Sequence, residues 1–314
     1  MNRPDEDFFL RYGDLELQRR MVMDRTRTEA FVMALEAAIR PGMQVLDLGC
    51  GTGLLAMAAA RAGGEVVAIE RTDIAHTAAQ LIRAHDLQDR IRVLRGDVTT
   101  LELDTSVEMI VSEWLGNLAF VEDMWPVVAR TRDRFLASNG IMIPEQVVLF
   151  LAPVDDPVLY YGQGPGQWRT RMAGFDFSSL EALELQQGRA HQIRIEDSSL
   201  LGPAQVMHDL VATKDDACAS WFEKDLSLPV TRTGTLLGFA GWFTARLYED
   251  VLLDTGPAAT ETHWSQTYLP FPPIQVSAGT KLAVRIRLEP HPQVAHNALL
   301  TIETQNQRIA YHLE

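Results

Sequence analysis

Two glutamates nine residues apart, Glu113 and Glu122, follow the apolar run Met109-Ile110-Val111. In open α/β sheets, reactive groups gather just beyond the ends of strands. Nine residues let the loop turn back, so the two carboxylates can grip one planar cation through paired hydrogen bonds. A guanidinium is such a cation. It holds its proton far above neutral pH, which makes it a very poor nucleophile. A carboxylate pair that draws its charge to one side leaves another nitrogen richer in electrons. Taken alone, the segment reads more simply as a solvated acidic loop. Only Asp123 lies beside the pair as a further ligand, so no metal is expected.

A second constellation lies upstream. Val45-Leu46-Asp47-Leu48 reads as a short buried strand, and Gly49, Gly51 and Gly53 follow it at alternate positions before an alanine-rich run. Such a loop bends tightly and admits a ligand close to its backbone. A dinucleotide fold wants G-x-G-x-x-G, which leaves helix-start amides free for a pyrophosphate. Here Leu54 follows Gly53, which spoils that register and disfavours NAD. S-adenosylmethionine (SAM) carries no phosphate and suits the loop. Glu70 ends the next apolar run, 17 residues after Gly53, where a carboxylate can accept both ribose hydroxyl protons.

The elements that must position these residues are legible in outline. Helix is expected from about Asp7 to Ile39, with Asp14 as a cap and a break at Pro41-Gly42. Strands are expected at 45–48, 65–70, 91–94 and 109–112, and helices at 54–62, 75–85 and 124–135. That alternation implies a parallel sheet covered by helices on both faces. After Ile143-Pro144 the pattern turns β-rich, at 147–154, 233–246 and 282–288. Residues 160–204 are partly helical, rich in aromatics and glycine, and read as an insertion.

Composition narrows the function classes. The chain has 314 residues and a net charge of −14. Such a surface disfavours nucleic acid and anionic membrane and welcomes a cationic substrate. No apolar stretch approaches the roughly 20 residues of a membrane span. Two cysteines, Cys50 and Cys218, exclude a disulfide framework and fit a reducing cytoplasm.

Several segments together resemble the protein arginine methyltransferase family. Glu113 to Glu122 looks like its double-glutamate loop, opening Ser-Glu-Trp; Thr262-His263-Trp264 looks like its threonine–histidine–tryptophan loop. Asp24-Arg25-Thr26-Arg27-Thr28 resembles its Asp-x-x-Arg-Thr segment, and Phe8, Phe9 and Tyr12 its aromatic lid helix. Ile143-Pro144 resembles the domain-joining proline, often cis. Trp168 with Gly174-Phe175-Asp176 resembles the dimerisation arm.

The resemblance implies a SAM-binding Rossmann-like domain over 41–143, preceded by lid helices over 1–40. A β-barrel-like domain follows over 144–314, with a helical dimerisation arm at about 160–204. It implies a homodimer. It implies SAM held by Phe9, Tyr12, Met21, Arg27, Asp47, Gly49, Gly51, Gly53, Glu70, Val98 and Thr99, with Arg27 on its carboxylate. Glu113, Glu122, His263 and Asp24 are the implied catalytic groups, with Trp264 and Met124 at the acceptor. Met21 and Met124 read equally as packing residues, and Trp264 equally as core.

The expected activity is SAM-dependent methylation of an arginine guanidino nitrogen, in free L-arginine or in a protein. The compact chain and its arginine-rich, lysine-poor composition lean toward the free amino acid. A catalytically weak SAM-binding scaffold and a methyltransferase for another amine are the alternatives. Because the implied cofactor contacts lie elsewhere, replacing Glu113 or Glu122 by Gln is expected to spare SAM binding. Three positions depart from the family pattern: Gln18 replaces histidine, Thr99 glutamate, and Asn117, beside Leu115, tyrosine.

Overall fold

The computed structural model describes residues 12–103 and 106–314. Phe8 and Phe9 therefore lie outside the described residues. Two short helices precede the first sheet, α1 (Leu15–Met23) and α2 (Arg25–Ala38). Asp14 caps α1 as expected, its carboxylate accepting from the amides of Glu16 and Leu17 at 2.7 and 3.3 Å. The second of the two helices read on either side of Asp14 is itself broken, at Asp24. That residue ends α1 in extended backbone and caps α2 through the Arg27 amide.

A five-stranded parallel sheet follows. Its strands are β1 (Gln44–Leu48), β2 (Glu65–Glu70), β3 (Ile91–Arg95), β4 (Val107–Val111) and β5 (Leu136–Ile143), in the order β3-β2-β1-β4-β5. Helices α3 (Leu54–Arg61), α4 (Ile74–Ala84) and α5 (Trp125–Phe135) connect them. Helix α3 forms because six of its eight residues are alanine or leucine with high helix propensity, and its face of Leu55, Ala56, Ala59 and Ala60 is buried. Helix α4 buries Ile74, Ala78 and Ile82, one turn apart.

Strand β1 is flanked by β2 on one side and β4 on the other, so chain order reverses between β1 and β4. Crevices at such a switch point hold ligands. Asp47 pairs with Val111 and Leu48 with Ile69. The glycine loop, Glu113 and Glu70 therefore all emerge at one edge of the sheet. The Ser112 hydroxyl ties two of these ends together, donating to the Leu48 carbonyl at 2.8 Å.

The cis Ile143–Pro144 bond leads into the second half. One antiparallel sheet runs β7-β12-β10-β6-β8, with β11 on β10. Its strands are β6 (Gln146–Val154), β7 (His191–Ile193), β8 (Gln205–Val211), β10 (Gly234–Tyr248), β11 (Val251–Asp254) and β12 (Gln266–Val276). A second, of order β15-β14-β13-β9, comprises β9 (Phe222–Pro229), β13 (Lys281–Pro290), β14 (Ala298–Thr304) and β15 (Gln307–Leu313). Both contribute to one core with the parallel sheet. Strand β13 alternates strictly, with Leu282, Val284, Ile286 and Leu288 inward and arginines outward. Between β6 and β8 the chain forms α6 (Pro157–Gly162), a 3₁₀ turn (Pro165–Arg169) and α7 (Ser179–Gln186), the segment read as an insertion.

Two contacts fix one half against the other. The Trp125 indole donates to the Asp216 carbonyl at 2.7 Å, and Arg132 Nη1 donates to the carbonyls of Ala212 and Asp215 at 2.6 and 2.7 Å.

Candidate active site

A cavity of about 350 Å³ opens at the switch point, between the parallel sheet, α1 and the Thr262–Trp264 loop. Its two ends are chemically distinct.

One end is built for a cofactor. Gly49 stands at φ +76°, and nothing lies within 4 Å of where its Cβ would be, so the backbone there is open to a ligand. The buried Glu70 carboxylate lines this end and accepts from the amides of Gly51 and Thr72 at 3.0 and 2.7 Å. Val98 and Thr99 close the far side. Thr99 is turned onto Asp97, its amide and hydroxyl donating to Asp97 Oδ1 at 2.9 and 2.7 Å. Gln18 is buried over Gly51, and a Cβ on Gly51 would come within 2.8 Å of its amide oxygen.

Two of the implied cofactor residues are not brought to the cavity wall. Asp47 is fully buried behind the loop, where burial pushes its carboxyl up to about 7. Gly53 faces α4, where a Cβ would press on the Ala78 methyl at 3.3 Å, so its role in the fold is close helix packing at φ +83°.

The other end carries the acids. Glu113 and Glu122 both line it. The Glu113 carboxylate receives Arg27 Nη2 and Nε at 2.6 and 2.9 Å and the Leu115 amide at 3.0 Å. Arg27, expected on the cofactor carboxylate, thus also grips one member of the acidic pair, and both side chains are buried. The residue implied for the cofactor and one implied for the acceptor are thus hydrogen-bonded to each other, so the two sets are less separable than the sequence implied.

Glu122 is half-buried in the cavity wall. Burial pushes its carboxyl up to about 7; a hydrogen bond from Tyr12 opposes the rise and the neighbouring Glu113 charge adds to it. Burial and the Glu122 charge raise the Tyr12 hydroxyl, which keeps its proton and donates. The loop between the glutamates is tight: Leu118 and Ala119 adopt positive φ, as does Asp123 just after it, and a Cβ on Gly116 would meet Glu122 Cγ at 2.7 Å. A side chain at Gly116 would displace the acid, which makes that glycine a site residue the sequence reading missed. Its position between two functional acids was the available signal.

His263 and Asp24, 239 residues apart, meet at 2.7 Å between Nδ1 and Oδ2. Asp24 stands behind the histidine and off the cavity wall. Burial works against its charge, but hydrogen bonds from the His263 ring and from the amides of Arg27 and His263 prevail and hold it below its ordinary range. An ionised Asp24 places the proton on Nδ1 and turns the Nε2 lone pair away. Trp264 is 4% exposed; it lines the cavity, but its indole donates to the Leu115 carbonyl at 2.7 Å and so anchors the acidic loop. Met21 and Met124 line the same end, as does Asn117, whose amide donates to the main-chain oxygen of Glu314 at 3.1 Å.

Residues 145–307 match the model of the arginine methyltransferase oligomerization subdomain, and residues 45–140 a methyltransferase domain. The chain is 30% identical over 304 residues to protein arginine N-methyltransferase 6 of Xenopus tropicalis, covering 91% of this chain and 87% of that protein. This chain belongs to the protein arginine methyltransferase family. The family member of the same name from Danio rerio is 26% identical over 317 residues, with 96% and 90% covered. The fold matches the Trypanosoma brucei PRMT1 enzyme–prozyme heterotetrameric complex with AdoHcy at a TM-score of 0.88, with 24% identity and 96% and 99% of the two chains covered. It matches Arabidopsis thaliana protein arginine methyltransferase 10 at 0.84, with 23% identity and 98% and 100% covered.

Within this family frame, the parallel sheet followed by a barrel-like antiparallel domain is the fold expected from the sequence.

Proposed function

We propose that this chain methylates a guanidino nitrogen of arginine in a protein substrate, with SAM as methyl donor. The observation that carries this reading is the pair of acids, Glu113 and Glu122, lining one cavity with the Gly49–Gly51 loop and Glu70. The residues present suit SAM: an open glycine backbone, a carboxylate positioned for ribose hydroxyls, and no cradle for phosphate. Glu70, Gly49, Gly51, Thr99 and Arg27 would hold it. Bound there, SAM supplies a methyl group on a sulfonium that needs no further activation.

The chain's own residues do the rest. Glu113 and Glu122 bind and orient the acceptor guanidinium and concentrate its charge away from the nitrogen that reacts. Arg27 holds Glu113 in place, and Tyr12 holds Glu122. The Asp24–His263 pair keeps Nε2 free to take the proton that a methylated guanidinium sheds. Trp264 fixes the loop backbone through Leu115.

The relatives named protein arginine N-methyltransferases favour a protein substrate over free L-arginine. Pairing of two copies through the 160–204 arm belongs to the same proposal, supported by the oligomerization-subdomain match and by exposed Trp168, Met172, Phe175 and Phe177. So does a cytoplasmic location, which rests on composition alone.

The test is transfer of labelled methyl from SAM to a glycine–arginine-rich peptide and, in parallel, to free L-arginine. Label on the peptide guanidino group supports the reading. Label on free arginine alone shifts it to the small molecule, and label on lysine or another amine instead sinks it.

A further inference from the structure

We propose that Arg20 is a specificity-determining residue at the acceptor end of the cavity, selecting arginine substrates that carry a carboxylate close to the reacting side chain. The inference rests on the arginine reading above and names the class of acceptor.

The inward face of α1 presents Leu17, Gln18, Arg20 and Met21 to the cavity. Arg20 is the cation of that face. Its Nη2 donates to the main-chain oxygen of His263 at 2.8 Å, which places the guanidinium beside the residue that flanks the acceptor. That bond uses one of five N–H donors. Two other arginines that line the cavity are committed: Arg27 to Glu113 at 2.6 Å, and Arg71 toward Asp97 at 3.7 Å. Among the described residues, no carboxylate pairs with Arg20, although the chain carries 42 acidic residues against 28 lysines and arginines. The side chain is exposed at the cavity wall, so solvent and a substrate can reach it.

A guanidinium fixed by one N–H and open on its other edge fits a carboxylate in two-point geometry. In an acidic molecule, a local cation beside the acceptor also discriminates. The acceptor guanidinium is received by the glutamates, but a second positive charge nearby would meet Arg20 and be repelled. The carboxylate has two possible sources of one chemistry: an aspartate or glutamate next to the target arginine, or the α-carboxylate of arginine itself.

The test uses the full chain with saturating SAM and three peptides of equal length. Each carries one arginine, flanked by Asp, by Gln or by Lys; free L-arginine and L-argininamide form a second pair. The expected result is a KM about fivefold lower for the Asp-flanked than for the Lys-flanked peptide, the scale of an exposed ion pair. Arg20→Glu should reverse that order, and Arg20→Lys should keep it. SAM affinity, measured by calorimetry on each variant, separates loss of folding from loss of selectivity.

A preference for L-arginine over L-argininamide that Arg20→Glu abolishes places the carboxylate on the substrate arginine. A preference confined to the Asp-flanked peptide places it on a neighbouring residue. An unchanged KM order in Arg20→Glu, or a wild-type preference for the Lys-flanked peptide, overturns the inference and leaves the arginine reading standing. If neither any peptide nor free arginine is methylated, the arginine reading falls and the role of Arg20 falls with it.

Discussion

In the proposed reaction, Glu122 is the residue on which the chemistry would turn, because its charge is poised. Burial, with the Glu113 charge beside it and against the Tyr12 hydrogen bond, pushes its carboxyl up to about 7. A raised carboxylate is neutral below that value and charged above it, so guanidinium binding should strengthen as pH rises. With peptide below KM, kcat/KM is expected to climb through pH 6 to 8 and level off. Glu122→Gln should flatten that limb and lower turnover on the order of 10²–10³-fold, the typical loss for one preorganised charge. SAM affinity should survive in Glu122→Gln. Glu113→Gln is the less clean test, because it frees Arg27, whose grip on Glu113 joins the two ends of the cavity. A pH profile unchanged in Glu122→Gln would remove Glu122 from the clamp.

At the scale of elements, loops hold the site and side chains from neighbouring elements hold the loops. Arg134 on α5 donates to the carbonyls of Val98, Thr99 and Leu101 at 3.1, 3.2 and 2.9 Å. It straps the segment that forms the far side of the cofactor end. Arg134→Gln is expected to raise the KM for SAM several-fold, with kcat at saturating SAM and the peptide KM little altered. Equal losses in all three would mean general destabilisation. His208 on β8 supports the acidic loop from below, stacked on Phe222 at 4.4 Å and edge-on to Phe120 at 5.7 Å. Burial lowers its pKa from the ordinary 6.5. The folded state therefore resists protonation, while the unfolded chain accepts it near 6.5. Stability is full above that pH and is lost as pH falls below it. Thermal melts from pH 7.5 to 5.5 should show a falling Tm, with a shallower fall in His208→Leu; parallel slopes would discount the histidine.

The order of β strands in the second half was the least legible part at this scale. Strands β14 and β15 join through Gln305 and Asn306, both at positive φ, and neither residue is a strong enough turn signal to mark a hairpin alone. Strand β12 carries three prolines, a composition that argues against a strand until its place in the sheet is known. Strand β5 was missed because Asn139-Gly140 interrupts its apolar run.

At the scale of the whole molecule, the arm exposes more apolar surface than a lone chain comfortably carries, with Phe175 67% and Met172 65% exposed. It is internally braced: Glu181 receives the Tyr160 hydroxyl at 2.7 Å and Arg169 at 2.6 Å, and the Trp168 indole donates to Glu184. A rigid, apolar projection is suited to docking against a second copy. Replacing Trp168, Phe175 and Phe177 together by Ala is expected to yield monomers at micromolar concentration in sedimentation, with reduced turnover. Wild-type monomers under the same conditions would refute pairing through the arm.

The sequence by itself determined the parallel sheet, because strands buried on both faces are written as unbroken apolar runs and their helices as 3.6-residue stripes. It also marked the acids, the glycine loop and the Thr-His-Trp segment, since local backbone demands and reactive residue types leave traces in short windows. Tertiary structure alone decided which of these meet. Asp24 and His263 lie 239 residues apart, and Arg27 reaches Glu113 across 86. Such pairings depend on distant segments of the chain closing over one sheet edge, which no local pattern records. For the same reason Asp47 and Gly53, though part of the loop motif, turn toward the interior. A motif fixes the path of the backbone, but the packing around it decides which side chains face the cavity.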